Sequence, residues 1–533
     1  MALPKNAAKL FENFTEVENP EECYVKGQIP SWLSVTLVRN GPGMFKIGDT
    51  EYKHWFDGLA YIQRYYFKNG KMLYSAKYLR SEAYKRNLAA QRIVIGEFGT
   101  ARYPDPCQSI FTRYFNYLFS NELTDNAVVN FMQCGDQVFA TTELPVMTKI
   151  DLKTLETCEK VDISKYVVMN MCTAHHHYDK DGNVYNIGSR FGKNGQYIFT
   201  KTENPNNCNG ENVEKTIKIG SIPFESNFYP TYYHSFGMTK NYMILFESPV
   251  RINIYKVLTQ KFRGTSLRES FEWDSEKLTN IYVLDKNTGK VMPIKFQAEP
   301  FFTFHHANTY EQDGCLIVDY CKYQRPETFG FFSLQELRNG AIALEANEEQ
   351  KPYLHRMVIP LNVRENTKVG TNILEKKAVA GKCKAVLEED GKVVLSDERL
   401  CDAPFEFPRY NYDLVNTKPY KYVYGATILH NDSSLPGIVK SNVQDKSCTI
   451  WKRDNSDQAV SEPVFVPRPG GTEEDDGILL CPVLTTRDGD KPFMLVLDAK
   501  NMTELARCYV DHRLPFSFHA HFVENKNLEK NGA

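Results

Sequence analysis

The stretch Val283-Leu284-Asp285-Lys286-Asn287-Thr288-Gly289-Lys290-Val291 has the composition of two short strands joined by a tight turn. An apolar pair leads into Asp285, and an Asp side chain at this point of a turn can accept hydrogen bonds from the backbone amides that follow it. Thr288 lies in the turn, and Val291 begins the next apolar run. The stretch therefore predicts a β-hairpin capped by its own aspartate.

The same pattern occurs twice more, at 149–156 around Asp151 and, one residue longer and with its Thr later, at 496–505 around Asp498. Buried-looking strands at 184–187, 242–246 and 316–320 lie between these turns, and the alternating runs 61–67 and 71–79 join at Asn69-Gly70, which predicts a hairpin. Helical signals are few, the first a short amphipathic piece at 7–14. Many short strands over the whole chain favour an all-β fold of the propeller type. A series of β-sandwich domains is the alternative, which the lack of any Pro/Ser/Gly-rich linker weakens.

The composition narrows the classes of function. The 533 residues carry a formal net charge of −2, which gives no reason to expect a nucleic-acid partner. The 31 Tyr and 33 Phe suit a fold or tunnel lined by rings. The thirteen cysteines are scattered and form no C-x-x-C pair, as expected of reduced intracellular thiols. We also expect neither a signal peptide nor a membrane-spanning segment.

Histidines occur at four separate loci beside aromatic or small residues. They are His175 to His177, His234, the pair His305 and His306, and His519 with His521. An imidazole among apolar neighbours prefers the neutral form, which is the form that binds a metal. The four loci are either unrelated histidines or the ligands of one metal centre that the fold assembles. A propeller would allow the second, because its innermost strands all pass the central axis.

Several motifs together resemble the carotenoid cleavage oxygenases, in the animal branch that includes the β-carotene oxygenases and the retinal-epithelium retinoid isomerase. They lie at 39–43, 54–58, 97–100, 104–107, 233–237 and 473–477. The resemblance runs from about 27 to about 523, so it implies a single domain over 1–533. It implies a seven-bladed propeller with a helical cap over one axial Fe²⁺. The motifs most resemble those of a central-cleavage β-carotene oxygenase or an insect carotenoid isomerooxygenase.

Matching motif to motif gives the implied site residues. The ligands are His175, His234, His305 and His519. The family usually has Pro at the position of His176 and Gly at that of Ala520, and we take His176, His177, His306 and His521 as second-choice ligands. The implied carboxylate partners of the ligands are Glu143, Glu406 and Glu462. Each of the three also reads as a charged residue inside an apolar strand, where an unpaired carboxylate is costly. Thr142 either borders an open iron position or is an ordinary strand threonine.

The implied chemistry is that of an iron(II) centre. Four neutral ligands in an octahedral arrangement leave two open positions, at which Fe²⁺ can bind O₂. We therefore expect a dioxygenase that cleaves a carotenoid double bond, most simply the central one, to give retinal-type aldehydes. The alternatives are an isomerooxygenase, a retinyl-ester isomerohydrolase of the same fold, and a non-catalytic carotenoid-binding propeller. Oxygen uptake and product geometry distinguish them.

A further expectation concerns the membrane from which such a substrate is taken. After the prolines at 104 and 106, one helical face carries Ile110, Phe111, Tyr114, Phe115 and Leu118. An aromatic face with few charges suits one-leaflet attachment, and a helix packed on the propeller is the alternative. Cys107 matches a proposed lipidation position of one family member, and an unmodified buried thiol is the other reading. We expect a cytoplasmic protein attached peripherally to an intracellular membrane.

Overall fold

A computed structural model of the chain describes residues 6–109, 123–207, 213–325, 332–339, 350–363, 366–427 and 437–530. The fold is all-β and propeller-like, with six sheets of four to nine strands. The two ends of the chain meet in two of these sheets. Strand Val35–Arg39 pairs with Ala520–Glu524, and Tyr24–Gly27 pairs with Glu504–Tyr509. The ring of sheets is therefore closed by backbone hydrogen bonds between the N- and C-terminal segments.

The first three sheets follow one another along the chain. The first contains Val17–Glu22, Lys71–Tyr78, Leu59–Lys68, Val35–Arg39 and Ala520–Glu524 in this order, with Pro42–Met44 beside the third. The second contains Thr157–Asp162, Val146–Ile150, Gln137–Thr141 and Asn130–Cys134. The third contains Met171–Cys172, Val184–Arg190, Gln196–Thr202 and Thr216–Pro223, with His177–Tyr178 beside the second of these.

The other three large sheets complete the ring. The nine-stranded sheet contains Gly237–Met238, Tyr242–Glu247, Thr279–Asp285, Phe296–Ala298, Val393–Pro404, Tyr353–Pro360, Cys315–Lys322 and His306–Gln312, with Lys384–Leu387 beside the fifth. The next contains Glu406–Arg409, Tyr422–Ala426, Gly437–Asn442 and Cys448–Lys452. The last contains Tyr24–Gly27, Glu504–Tyr509, Phe493–Asp498, Gly477–Thr485 and Gln458–Val460, with Val464–Pro467 beside the fourth.

Smaller elements connect the sheets. Two-stranded ribbons pair Val250–Ile252 with Phe271–Trp273, and Lys46–Ile47 with Thr50–Glu51. The α-helices of the described ranges are Glu82–Ala89, Ile254–Arg263, Leu334–Asn339, Tyr412–Val415 and Asn525–Lys530. Single 3₁₀ turns are Ala7–Leu10, Trp55–Asp57, Ile163–Lys165, Pro205–Asn207, Val213–Lys215, Leu267–Ser270 and Ala378–Ala380. None of the described helices has the length and apolar character needed to cross a bilayer.

The aspartate-capped turns are present as predicted. Asp285 Oδ1 accepts hydrogen bonds from the amides of Asn287 and Thr288 at 2.8 and 3.0 Å. Asp151 and Asp498 each cap the two corresponding amides in their own turns. The fourth residue after each aspartate has positive φ, and in the Asp285 turn this residue is Gly289, for which that conformation carries no Cβ penalty.

A fourth turn of this kind follows Asn442, and the sequence pattern missed it. Asn442 N donates to Ser447 O, and Lys446 N donates back to Asn442 O, as in the three aspartate turns. Lys446 has a φ of 65°. Asn442 Oδ1 accepts from Gln444 N, so a side-chain amide oxygen does the work of the carboxylate. The turn 442–447 has neither the Asp nor the Thr of the sequence pattern, which is why the pattern missed it.

Two local predictions had different outcomes. The hairpin at Asn69-Gly70 is confirmed, with Lys68 opposite Lys71 and positive φ at both turn residues, as a two-residue mirror-image turn requires. The prediction of a helix at 7–14 is wrong, because only one 3₁₀ turn forms there, at Ala7–Leu10. Phe11 is fully buried and packs edge-on against Phe45 and Trp55, and the chain leaves the helical path there.

Candidate metal centre

The four histidines named from the sequence meet inside the ring of sheets. Each precedes an edge strand of a sheet: His519 and His305 directly precede Ala520–Glu524 and His306–Gln312. His175 lies two residues before His177–Tyr178, and His234 lies three residues before Gly237–Met238. We expected these side chains on the innermost strands themselves, and that detail is wrong. They project from the turns that lead into those strands, where the backbone is free to aim the rings at one point.

The ring nitrogens are close enough together to hold one ion. His175 Nε2 lies 3.0 Å from His234 Nε2, and His305 Nε2 lies 3.3 Å from His519 Nε2. One ligand atom from each of the four lies within 4.8 Å of the others. Two imidazole nitrogens about 2.1 Å from a metal and at right angles around it would be about 3 Å apart. The donor set therefore fits a metal ion bound through Nε2 atoms.

Burial keeps three of these rings, those of His175, His234 and His519, in the metal-binding form. Burial and the neighbouring His519 and His234 hold the pKa of His175 well below its ordinary value. Burial also lowers the pKa of His234, and it lowers that of His519 to about 3. A neutral imidazole has a free lone pair at one nitrogen, so the centre is ready for a cation at neutral pH.

Three of the four rings each form a hydrogen bond through Nδ1 with a glutamate. Glu143 Oε1 lies 2.6 Å from His234 Nδ1, and Glu406 Oε2 lies 2.5 Å from His305 Nδ1. Glu462 Oε1 lies 2.8 Å from His519 Nδ1. A carboxylate only accepts, so each Nδ1 carries the hydrogen and each Nε2 is left for the metal. In the described part of the chain no carboxylate forms a corresponding pair with His175.

The glutamates come from the three large sheets that supply no histidine. Glu406 begins strand Glu406–Arg409, as its apolar surroundings predicted. Glu143 and Glu462 lie in connections outside the strands, so the prediction of an in-strand carboxylate is wrong for both. The connection that holds Glu143 follows strand Gln137–Thr141, and that of Glu462 follows Gln458–Val460.

Further residues, which the sequence did not single out, fix these glutamates. Arg409 donates two hydrogen bonds to Glu462, Nε to Oε1 at 2.9 Å and an Nη to Oε2 at 3.1 Å. Tyr232 donates to Glu143 Oε1 at 2.7 Å, and Tyr323 donates to Glu406 Oε1 at 3.1 Å. Tyr232 stands two residues before His234, an i, i+2 spacing that could have suggested it.

Arg409 also sets the charge of its partner. Burial alone would raise the pKa of Glu462, but Arg409 and His519 outweigh it and hold that pKa below the ordinary value. The carboxylate is therefore ionised at neutral pH. The carboxylate of Glu462 then bonds both to the guanidinium of Arg409 and to the His519 ring, and it fixes the orientation of that ring.

The second-choice histidines have other partners. His176 Nε2 lies 2.8 Å from the Tyr178 hydroxyl, and His177 Nε2 donates to Phe236 O at 3.0 Å. His306 Nδ1 bonds with Ser235 Oγ, and His521 Nε2 with Gln133 Oε1. Residues 175 and 176 both precede strand His177–Tyr178. The cluster of four excludes all of these neighbours.

A largely apolar cavity of about 310 Å³ opens onto this cluster. His234, His305 and His519 line it, together with Glu143 and Thr142. Aromatic side chains form much of the remaining wall: Trp55, Phe56, Phe98, Tyr232, Phe271, Phe304, Tyr323, Phe332, Phe407 and Phe518. Thr142 follows strand Gln137–Thr141 instead of lying in it. The cavity therefore offers an apolar binding site for a long apolar molecule beside the imidazoles.

The five residues predicted to contact a membrane, Ile110, Phe111, Tyr114, Phe115 and Leu118, lie outside the described residues. Cys107 is described and is exposed, which contradicts its reading as a buried thiol.

The sequence and the fold are both similar to those of known proteins. Residues 10–524 match the family described as retinal pigment epithelial membrane protein, RPE65. The chain belongs to this RPE65/carotenoid oxygenase family. It is 40% identical over 521 residues to the β,β-carotene 15,15′-dioxygenase of Mus musculus, covering 96% of this chain and 90% of that protein. It is 37% identical over 527 residues to the mitochondrial carotenoid-cleaving dioxygenase of Mustela putorius furo, covering 97% and 96%.

Solved structures share the family fold. An apocarotenoid oxygenase of Synechocystis superposes with a TM-score of 0.76 at 21% identity, covering 98% of this chain and 99% of that one. A cobalt-substituted form of that protein gives a TM-score of 0.75 at 21% identity, with 97% and 99% covered. At this identity the likeness concerns the fold.

Proposed function

We propose that this chain is an iron(II)-dependent dioxygenase that cleaves the central double bond of a β-carotene-like carotenoid with O₂ to give retinal-type aldehydes. The observation that carries the proposal is the convergence of four imidazoles at an apolar, aromatic-walled cavity. The names of the 37–40% identical relatives support the reaction class. Imidazole suits iron as well as zinc, copper and nickel, and the choice of Fe²⁺ among them rests on the family.

The residues of the chain divide the work of the reaction. His175, His234, His305 and His519 would hold the ion, and bound Fe²⁺ supplies the O₂ chemistry. Glu143, Glu406 and Glu462 keep a proton on Nδ1 of His234, His305 and His519, so these three rings can bind only through Nε2. The aromatic wall binds the polyene and excludes water from it. Thr142, on the cavity wall, would restrict the open side of the ion.

The architecture around the site extends the same proposal. The nine-stranded sheet has its halves joined by one parallel pair, Phe296–Ala298 with Val393–Pro404, so we count it as two blades and the whole as seven. Val257 and Gln260 of helix Ile254–Arg263, with Leu337 of Leu334–Asn339, lie on the cavity wall. We assign these helices to a cap over the metal. The propeller would span about 27–523 within one domain, 1–533.

A membrane surface is the proposed source of the substrate. Helix Ile254–Arg263 exposes Tyr255, Leu258 and Phe262 by 69%, 72% and 70% on one face. Phe228, 69% exposed, adjoins the start of the helix, because its carbonyl accepts from Ile254 N at 3.0 Å. The helix carries Lys and Arg and no acidic residue, which suits an anionic lipid surface. We propose monotopic attachment here and through the 110–118 face, at an intracellular membrane reached from the cytoplasm.

Liposome flotation tests the attachment. Tyr255→Ser, Leu258→Ser and Phe262→Ser combined should reduce binding to vesicles containing anionic lipid, and so should Phe111→Ser, Phe115→Ser and Leu118→Ser combined. Ile217→Ser, at an exposed apolar position of strand Thr216–Pro223, is the control and should float like the parent. If the parent, the two triple variants and Ile217→Ser are all folded and float equally, the proposed attachment is wrong.

Oxygen consumption tests the reaction. Iron-loaded protein should take up O₂ when β-carotene is supplied, and His305→Ala should not. His521→Ala, which changes a ring bonded to Gln133 outside the cluster, should retain uptake. If the parent consumes no O₂ with a carotenoid but isomerises retinyl esters, the chain is an isomerohydrolase. Oxygen uptake with a cis product would indicate an isomerooxygenase. Tight carotenoid binding without turnover would indicate a binding protein.

A further inference from the structure

Two thiols on neighbouring sheets lie side by side outside the metal centre. Cys401 lies in strand Val393–Pro404 of the nine-stranded sheet and is only 2% exposed. Cys448 is the first residue of Cys448–Lys452 in the next sheet and is exposed. The two strands approach within 8 Å between Cα atoms, and the two thiol groups are within hydrogen-bonding reach of each other.

The surroundings hold both sulfurs in place. The backbone amide of Ala403 interacts with both thiols. Ser441 stands opposite Cys448 in its hairpin. Beside them Lys446 Nζ lies 2.6 Å from Glu398 Oε2 and joins the same two sheets. The sulfurs therefore meet at an interface that a second side-chain pair keeps in register.

The two thiols differ in reactivity as an attacking and a resolving cysteine do. The hydrogen bond with Cys401 lowers the pKa of Cys448 from 9.0 to about 7. The same bond and burial raise the pKa of Cys401. The exposed sulfur is thus the one that ionises more readily to the thiolate, the form that reacts with oxidants. Exposed Cys158 provides a contrast, since burial raises its pKa.

We propose that Cys448 and Cys401 are a redox modification site that forms a reversible disulfide between the two sheets on reaction with a hydroperoxide. The Cys448 thiolate attacks the peroxide oxygen, the O–O bond breaks, and a sulfenic acid and water (or an alcohol) result. The Cys401 sulfur then attacks the Cys448 sulfur, the S–O bond breaks, and a second water leaves. Two electrons pass from the sulfur pair to the peroxide, and the two thiol protons end in the released products.

The disulfide would join sheets that side chains now hold together at this point. It would close a covalent loop from 401 to 448 and so restrict the unfolded chain. The protein should become harder to unfold when oxidised, and a thiol reductant should reverse the change.

The test uses the iron-loaded full chain treated with hydrogen peroxide at equimolar and slightly higher ratios. Peptide mapping without reductant should give one peptide pair linked through 401 and 448. The free thiol count should fall from 13 by two, and the urea midpoint should rise. Cys448→Ser and Cys401→Ser should each lose the linked pair and the rise in midpoint, whereas Cys158→Ser should keep both. At pH 7 iodoacetamide should label Cys448 roughly tenfold faster than Cys158.

Two results would overturn the site. One is Cys448 oxidised to sulfinic acid while Cys401 stays free, and the other is Cys448 linked to a different cysteine. Should Cys401→Ser fail to fold, the linked peptides of the parent and the exposed Cys448→Ser variant decide the question alone.

Discussion

Arg409 forms a two-point ion pair with Glu462, at 2.9 and 3.1 Å, and Glu462 in turn contacts the Nδ1 of a metal-site histidine, His519. A guanidinium fork matches both oxygens of a carboxylate, which an ammonium group cannot do. The orientation of His519 therefore depends on an arginine that does not reach the metal site itself.

Replacing this arginine tests that dependence. Arg409→Lys keeps the charge but loses the two-point geometry, so iron affinity should fall about tenfold, as for other partners of metal ligands. Iron titration followed by metal analysis of the retained protein measures the effect. Arg487→Lys, in an exposed pair with Asp490, is the matched control and should bind iron like the parent. Unchanged affinity in Arg409→Lys would mean that Glu462 is positioned without it.

The ligand set makes a sharper prediction. His175→Ala, His234→Ala, His305→Ala and His519→Ala should each retain far less than one iron per chain and lose activity, because each removes one of four converging nitrogens. His176→Ala and His521→Ala remove rings bonded to Tyr178 and Gln133 and should keep iron. Metal analysis after desalting gives both numbers. Full iron in any of the first four, with activity intact, would exclude that residue as a ligand.

The three glutamates should act through the rings. Glu143→Gln, Glu406→Gln and Glu462→Gln keep an oxygen acceptor for each Nδ1–H but remove the charge that raises ligand basicity. Iron affinity or turnover should fall roughly 10–100-fold in each. His175→Ala in the same assay marks complete loss. The assignment fails if all three Gln variants behave like the parent.

Asp57 predicts how stability changes with pH. Burial raises the pKa of Asp57 from 3.8 to about 7, although Gly99 N–H and Thr100 hydroxyl donate to it. Because the folded pKa is raised, its contribution to stability is complete below pH 3.8 and is lost as pH rises through about 7. The whole change corresponds to about 4 kcal/mol.

Asp57→Asn keeps a neutral side chain of the same shape and should remove this dependence. Below pH 3.8 the urea midpoints of parent and variant should be similar, because residue 57 of the parent is then largely protonated in the folded and the unfolded state alike. At pH 8 the variant should unfold at clearly higher urea than the parent. Parallel loss of stability in both proteins between these pH values would show that another group is responsible.

Local chemistry is what the sequence reveals best here. The turns at Asp151, Asp285 and Asp498 were predictable because residues next to one another in sequence form each cap. The turn at Asn442 was missed because it has neither the Asp nor the Thr of that pattern. The four ligands were found through the family resemblance, since nothing in the spacing of His175 and His519 places them together. The choice of His305 over His306 likewise came from matched motifs.

Contacts between segments that are far apart in the chain could not be predicted from the sequence. Arg409 lies in strand Glu406–Arg409 and Glu462 in a connection of the following sheet, 53 residues along the chain, so no local pattern links them. The thiols of Cys401 and Cys448 meet in the same way, across two sheets. Glu143 and Glu462 were expected in strands because their neighbours are apolar, yet they lie in buried connections. An apolar neighbourhood signals burial, and burial alone does not fix the backbone conformation.

The most direct test of the account is the amount of each aldehyde that iron-loaded protein forms from β-carotene, measured by chromatography against the carotene consumed. We expect two molecules of retinal for each β-carotene, with no product in His305→Ala, because the substrate is symmetrical about the bond that the site cuts. Unequal aldehydes, or no loss of β-carotene with iron bound and oxygen present, would contradict central cleavage at this centre.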